Sequence, residues 1–445
     1  MQTRSLLLAF AAALGICWPL KAWSSSAVVV MPLVSETQRV LVPATLGIIV
    51  NANDPQSLEL GRQYAAIRDV PLSNIIELNL PRVNYVVRHL MVRELEKLRG
   101  AASYNRLVGF ALAFDKPYRV DANQSITSVI ADGIVPLKWV GNCNITPESP
   151  DAGARPGAEF FRKPAMLLYG GGDLSDSLAL AKRGQASDAT DPSGDIFLIK
   201  TADSARSGPR EASMDRAKER FGQEIGITVN RTQTFAGQSN ILGFQIGLAV
   251  LNNLDSLHFL PGAFADHLTS FGGAIFDKRS QTPITALIKA GATASYGTVR
   301  EPCNYAGKFP DPERLINNYL RGDSILEAYW KSVDMPTEGL FIGEPLARPF
   351  PVVDATIDGG LVTLKANRHT EGFLLGNQAD NSSGQASVLT KNPVRLAIYD
   401  VESGTPEFIK ELPIGSALKP GDVVGSFSVD SASAAHLMLG ALRKS

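Results

Sequence analysis

The chain has 445 residues, of which 44% are hydrophobic and 20% charged, a globular composition long enough for two cores. With 43 basic against 44 acidic groups, a net charge of -1 and no long run of either sign, neither a phosphate backbone nor an anionic membrane surface is electrostatically favoured. Nucleic acid is therefore not an expected partner.

The first residues, MQTRSLLLAFAAALGICWPLKAWSSSA, place Arg4 before an uncharged stretch from Ser5 to Leu20 and then the small residues Ser24, Ser25, Ser26 and Ala27. This is the pattern of a signal peptide over 1–27. The uncharged stretch, broken by Gly15 and Pro19, falls short of the roughly 20 residues that cross a bilayer as a helix. Removal is expected rather than anchoring, which gives a periplasmic or secreted protein with no transmembrane helix in the mature chain. Lipid attachment at Cys17 is disfavoured because Ile16 stands where a small residue is required. Export leaves Cys143 and Cys303, and an oxidising compartment favours a disulfide between them. Closing so long a loop contributes roughly 5 kcal/mol in the chain-entropy view.

From Thr45 onward, short apolar runs alternate with helix-like segments, as in parallel strands joined by crossover helices. TLGIIVNAND reads as a strand stopped at Asn51-Ala52-Asn53-Asp54, and Pro55 fits the first turn of the helix that follows. NIIELNL is a second strand, VRHLMVRELEKLRG a helix stopped by Gly100, and RLVGFALAF a third strand ending at Asp115-Lys116-Pro117. The Pro- and Gly-rich stretch from Val140 to Pro164 reads as an irregular insertion. AMLLYGGGDLSDSLALA returns to strand, turn and helix, GDIFLIKTAD is another strand, and a polar helix runs through Arg220. SLHFLPGAFADHLTSFGG predicts a short strand followed by a helix that Gly272 and Gly273 end. PITALIKAGATASYGTV is helix, Gly and buried strand, and Ser324 three residues before Glu327 has capping-box spacing. GLFIGEPLARPF supplies the last strand of this domain, 28–349. Beyond Pro349 and Pro351, alternating segments without helices predict a small C-terminal β-sandwich, immunoglobulin-like, over 350–445. No internal repeat is legible.

Parallel sheets present ligands at the carboxyl ends of their strands, so those turns hold the candidate site residues. Gly170-Gly171-Gly172 followed by Asp173 offers backbone N–H groups to a ligand, or is a tight structural turn, with Asp173 opposing phosphate. Asn53 and Asp54 offer oxygens beside Asn51, or serve as helix caps. Gly171, Asp173, Asn53 and Asp54 are thus the ligand-binding candidates, and neither a metal site nor a cofactor is expected. Asp115 has Lys116 beside it and reads as solvated. Thr293-Ala294-Ser295-Tyr296-Gly297 departs from the GxSxG nucleophile elbow at its first position. His267 and Cys303 supply the residue types of a thiolate and its base. The competing reading places His267 at a helix end as a structural imidazole, with Cys303 in the disulfide.

The blocks LPGAFADHLTSFGG, AGATASYGTVREPCNYAGKFP, EAYWKSV and GLFIGEPLARPF, with GIIVNANDPQSLELGRQYAAIRDVP ahead of them, resemble a family of exported bacterial proteins described as conserved hypotheticals, over roughly residues 40 to 350. No activity transfers from it. More distantly, the strand–helix alternation, the AGATASYGTV strand and IGEPL after the EAYW helix are similar to gingipain-type cysteine peptidases. That resemblance implies a mostly parallel caspase-like sheet flanked by helices, then an immunoglobulin-like module. It also implies a His-Gly at one strand end and a Cys at the end of the next core strand. The strand ends read from this sequence are Phe114-Asp115-Lys116, Tyr169-Gly170-Gly171 and Leu260-Pro261-Gly262, and none carries His or Cys. The expectation is a non-catalytic binding or assembly component with a protein or peptide partner, the alternative a cysteine hydrolase using Cys303 and His267. A carbohydrate- or peptide-binding surface on the sandwich is a third option, against which Trp18, Trp23, Trp139 and Trp330 all lie outside it.

Overall fold

Each apolar run that ends in a turn signal becomes a strand of one ten-stranded sheet. The computed structural model describes residues 30–32, 40–121, 123–136, 138–140, 143–277, 279–358, 361–370, 394–399, 406–412 and 418–428. The expected signal peptide at 1–27 lies outside the described residues, as does most of the C-terminal segment.

The first part of the sheet domain comprises β1 (Leu46–Asn51), α1 (Pro55–Arg68), β2 (Ile75–Leu78), α2 (Arg88–Arg99), β3 (Gly109–Leu112), α3 (Ile126–Asp132), β4 (Ala165–Leu167) and α4 (Leu174–Ser187). The second part comprises β5 (Asp195–Lys200), α5 (Ser204–Phe221), β6 (Gly226–Arg231), β7 (Ile241–Ile246), β8 (Phe259–His267), α6 (Thr285–Ala290), β9 (Ala294–Thr298), α7 (Pro312–Leu320), α8 (Ile325–Lys331) and β10 (Gly339–Gly343). Local signals set the boundaries. Asp54 caps α1 by accepting the Gln56 N–H, with Pro55 in the first turn, and Gly100 is the C-cap of α2. Ser324 and Glu327 form the reciprocal capping box that opens α8.

In space the strands run β2-β1-β3-β4-β10-β9-β8-β7-β5-β6. All neighbours within β2-β1-β3-β4 and within β6-β5-β7-β8 are parallel. β10 is parallel to β4 and β9 to β8, whereas β9 and β10 pair antiparallel. The domain is therefore two quartets of the same 2-1-3-4 order, running in opposite directions and joined by β10 and β9. Their carboxyl ends open at opposite edges of the sheet.

This topological repeat has no legible counterpart in the sequence. Asn51-Ala52-Asn53-Asp54-Pro55-Gln56-Ser57 after β1 occupies the place that Thr201-Ala202-Asp203-Ser204-Ala205-Arg206-Ser207 takes after β5. In both loops a buried serine on the helix accepts the backbone N–H at the strand end, Asn51 to Ser57 at 2.7 Å and Thr201 to Ser207 at 2.9 Å.

Leu46, Ile48, Ile49 and Val50 are all fully buried, as expected of a strand covered on both faces. At the centre, the indole of Trp330 stacks on Phe341 with centroids 4.4 Å apart and donates its N–H to the Ala165 carbonyl at 3.1 Å. Each such fully buried side chain stabilises the fold by roughly 1.5–3 kcal/mol.

One predicted element is wrong. Residues 263–267, expected in a helix, are the carboxyl part of strand β8. Gly262 to His267 are buried, and Phe264 to His267 pair with β7 from Gly243 to Ile246. A strand buried on both faces has no alternation to separate it from a helix, and the spacing of Leu260, Phe264 and Leu268 matches both.

The predicted end module holds two three-stranded antiparallel sheets, one of Val353–Asp358, Leu361–Ala366 and Val423–Ser428. In the other, Val394–Tyr399 pairs with Pro406–Leu412 and with Val30–Pro32. Val30–Pro32 thus pairs with a strand of the end segment and not with the ten-stranded sheet.

Candidate functional site

Two rims follow from the topology, one at the carboxyl end of each quartet. At the first, β1, β3 and β4 stop together, and α1 and α4 begin beside them. The sequence candidates Asp54 and Asp173 both line the recess formed there, with Asp115, Ser57, Tyr169 and Ser177, around about 330 Å³ of space open to solvent.

Several of these groups are committed to the backbone. Asp54 accepts the Gln56 N–H at 3.2 Å, and Asp173 accepts the Ser175 N–H at 2.8 Å and its hydroxyl at 2.6 Å. These bonds, the hydroxyl first, hold the Asp173 carboxyl below the usual range. Asn53 donates its side-chain amide to the Leu80 carbonyl at 3.1 Å and its backbone N–H to Asn51 Oδ1 at 3.1 Å. Asp54 and Asp173 thus cap α1 and α4, whereas Asn53 caps no helix and ties its loop to Leu80. Gly171 takes φ +94°, which favours glycine, and a Cβ there would crowd Lys289 and the Thr285 carbonyl. Gly170 passes so close to the backbone at Asp176 and Ser177 that no side chain fits, which explains the tight-turn role of this glycine.

Two groups in the recess are not caps. Asp115 follows β3 and is half-buried. Tyr169 follows β4, is 8% exposed, and packs its ring on Phe276 at 5.5 Å. Burial pushes its phenol up to about 12, reinforced by the charges of Asp115 and Asp176. The phenol is therefore a neutral O–H donor throughout the physiological range. The sequence pattern marks Asp115 only as solvated and Tyr169 only as a strand end.

At the second rim the structure places His267 at the end of β8, not at a helix end. Its Nδ1 lies 2.8 Å from the Leu248 carbonyl and its Nε2 2.9 Å from the Thr282 carbonyl. Burial holds its pKa below the usual imidazole range, against those two carbonyls and Asp266. Neighbours in a strand project to opposite faces, and Asp266 accordingly engages other groups. It pairs with Arg210, accepts the Gln245 amide at 2.9 Å and the Tyr329 hydroxyl at 3.3 Å. All of these groups are buried.

Cys303 lies in a turn after β9 with φ +57°, and its sulfur is in a disulfide rather than a thiol. The Cys143 side chain lies outside the described residues. His267 has its ring nitrogens on carbonyls, so the two candidates do not form a nucleophile–base contact. Beside this rim a recess of about 420 Å³ opens, lined by Phe235, Phe244 and Leu257 and by the polar Gln233, Thr234 and Asn252.

The strand ends that matter in the second quartet are Ile246-Gly247 on β7 and His267-Leu268 on β8. Leu260-Pro261-Gly262, taken from sequence as an end, is internal to β8. No protein-family model and no curated protein matches the chain. No helix of the described residues is long and apolar enough to cross a membrane. Among the described residues, no three His, Cys, Asp or Glu side chains converge as metal ligands.

Proposed function

We propose that the protein is an exported, non-catalytic binding or assembly component on a caspase-like, gingipain-like scaffold, with a sandwich-type C-terminal module. The observation that carries this reading is the state of His267, whose two ring nitrogens both face backbone carbonyls inside the sheet domain. A general base needs a nitrogen within reach of the proton it removes. In the gingipain-type pattern a His-Gly ends one strand and a Cys ends the next. Here Ile246-Gly247 is followed by His267-Leu268, and Phe114-Asp115 by Tyr169-Gly170. The bound sulfur of Cys303 supports the same reading, as well as a Cys143–Cys303 disulfide made after export.

The recess of the first quartet is the proposed binding region. Asp115 and the Tyr169 hydroxyl, which has no hydrogen-bond partner among the described residues, fit a protein or peptide partner that presents an ammonium or guanidinium group and an acceptor beside it. The test has two arms on the purified mature chain. Native alkylation with iodoacetamide is expected to leave Cys303 unmodified, and a fluorogenic peptide panel is expected to give no turnover. Peptides selected from a displayed library are expected to bind wild-type protein and to lose at least tenfold in affinity for Asp115→Asn with Tyr169→Phe. Turnover abolished by both Cys303→Ala and His267→Ala would establish the hydrolase instead. Peptide binding indifferent to Asp115 and Tyr169 would remove this recess as the site.

A further inference from the structure

The C-terminal module meets the sheet domain through an imidazole held between two carboxylates. His369 follows the strand Leu361–Ala366 and its side chain is fully buried. Its Nε2 is 2.7 Å from Asp191, in the loop between α4 and β5, and its Nδ1 is 2.6 Å from Glu224, in the turn between α5 and β6. Neutral imidazole has one N–H, whereas ionised carboxylates only accept. Both contacts are hydrogen bonds only when both ring nitrogens carry protons.

The two carboxylates favour the imidazolium form, and each is also held by an arginine whose charge opposes it. Arg368, the preceding residue, donates Nε and Nη2 to Asp191 at 2.9 and 2.6 Å. Arg321, just after α7, donates two bonds to Glu224 at 2.5 and 2.7 Å. The ring of Phe350 lies edge-on to His369 at 5.4 Å and seals that side. With both carboxylates already neutralised in part by arginines, the imidazolium completes a network of three cations and two anions across the junction.

We infer that His369 is a protonation-dependent latch that holds the C-terminal module against the sheet domain and loosens it as the pH rises. Burial disfavours the charged ring, but the hydrogen bonds and charges of Asp191 and Glu224 outweigh it and raise the His369 pKa above the usual imidazole range. The same contacts, working against burial, lower the pKa values of Asp191 and Glu224. Docking is thus complete at pH values between the lowered carboxylates and the ordinary imidazole, and is lost as the pH climbs through the raised imidazole value. Once the proton leaves, one carboxylate faces a ring nitrogen with no hydrogen to offer.

The experiment is hydrogen exchange by mass spectrometry on the full mature chain across neutral to alkaline pH, corrected for intrinsic exchange, with peptides covering 350–370 as the readout. Protection of these peptides is expected to fall by up to about tenfold per pH unit between the ordinary imidazole value and the raised His369 value in wild-type protein, and to level off above it. Protection in His369→Gln is expected to be low and flat with pH. Glu224→Gln keeps the histidine and is expected to move the midpoint to lower pH, which guards against a His369 variant that fails to fold. The same alkaline profile in Glu224→Gln as in wild type, or a nuclear magnetic resonance titration placing the His369 pKa below that of a free imidazole, would overturn the latch.

Discussion

The hydroxyl of Ser57 and the hydroxyl of Ser207 do the same thing at opposite edges of the sheet: each accepts the backbone N–H that ends the first strand of its quartet. Ser57 also donates to the Ala113 carbonyl at 2.6 Å, whereas Ser207 donates to Glu211 at 2.5 Å. The same device recurs where β4 meets α4, with the Gly170 N–H on Ser177 at 3.0 Å, so it belongs to strand-to-helix turns of this sheet in general. The two serines differ in what they donate to: Ser57 bridges two strands and Ser207 only reaches back to its own helix.

That difference sets the first prediction. Ser57→Ala leaves a buried N–H and a buried carbonyl unpaired and is expected to destabilise the fold by about 2–3 kcal/mol. Ser207→Ala strands one N–H but lets Glu211 return to water, and is expected to destabilise it by about 1–2 kcal/mol. Urea unfolding of both variants, compared by midpoint at constant slope, checks the order.

The buried Arg210–Asp266 pair behaves differently from a surface ion pair, since neither group retains contact with solvent. Arg210→Met is expected to destabilise by about 3–5 kcal/mol, because Asp266 is left charged and buried with only Gln245 and Tyr329 as donors. The double variant Arg210→Met with Asp266→Leu is expected to recover most of that loss, read from a double-mutant cycle in denaturant.

His267 gives the opposite pH signature to His369. Its folded pKa lies below the unfolded one, so the unfolded chain binds the proton more readily. The contribution to stability is therefore present above the ordinary imidazole value and declines as the pH falls below it toward the lowered folded value. Replacing it by Gln is expected to flatten this part of the stability–pH curve. A wild-type and variant pair with parallel curves over that range would refute the assignment.

Caps and ligand groups in the first recess are separable by stability alone. Asp173→Ala removes the N-cap of α4 and is expected to lower the unfolding midpoint. Asp115→Asn breaks no cap and is expected to change stability by less than about 0.5 kcal/mol. Thermal unfolding of the two variants distinguishes the roles without any ligand.

Local chemistry was legible in the chain itself. Asp54 with Pro55, Gly100, and Ser324 with Glu327 act through bonds within a few residues, so their spacing alone specified where helices begin and stop. The alternation of apolar runs with helical segments likewise announced a sheet flanked by helices. What only the tertiary structure decided is which residues meet across it. Burial on both faces erased the periodicity that would have marked residues 263–267 as strand, and with it the position of His267 at a strand end. Strand order brought Asp54, Asp115, Asp173 and Tyr169 to one rim, and turned the second quartet to face the other way. The union of His369 with Asp191 and Glu224 is the clearest case, because three residues far apart in sequence carry no local pattern and acquire their meaning only when desolvated together.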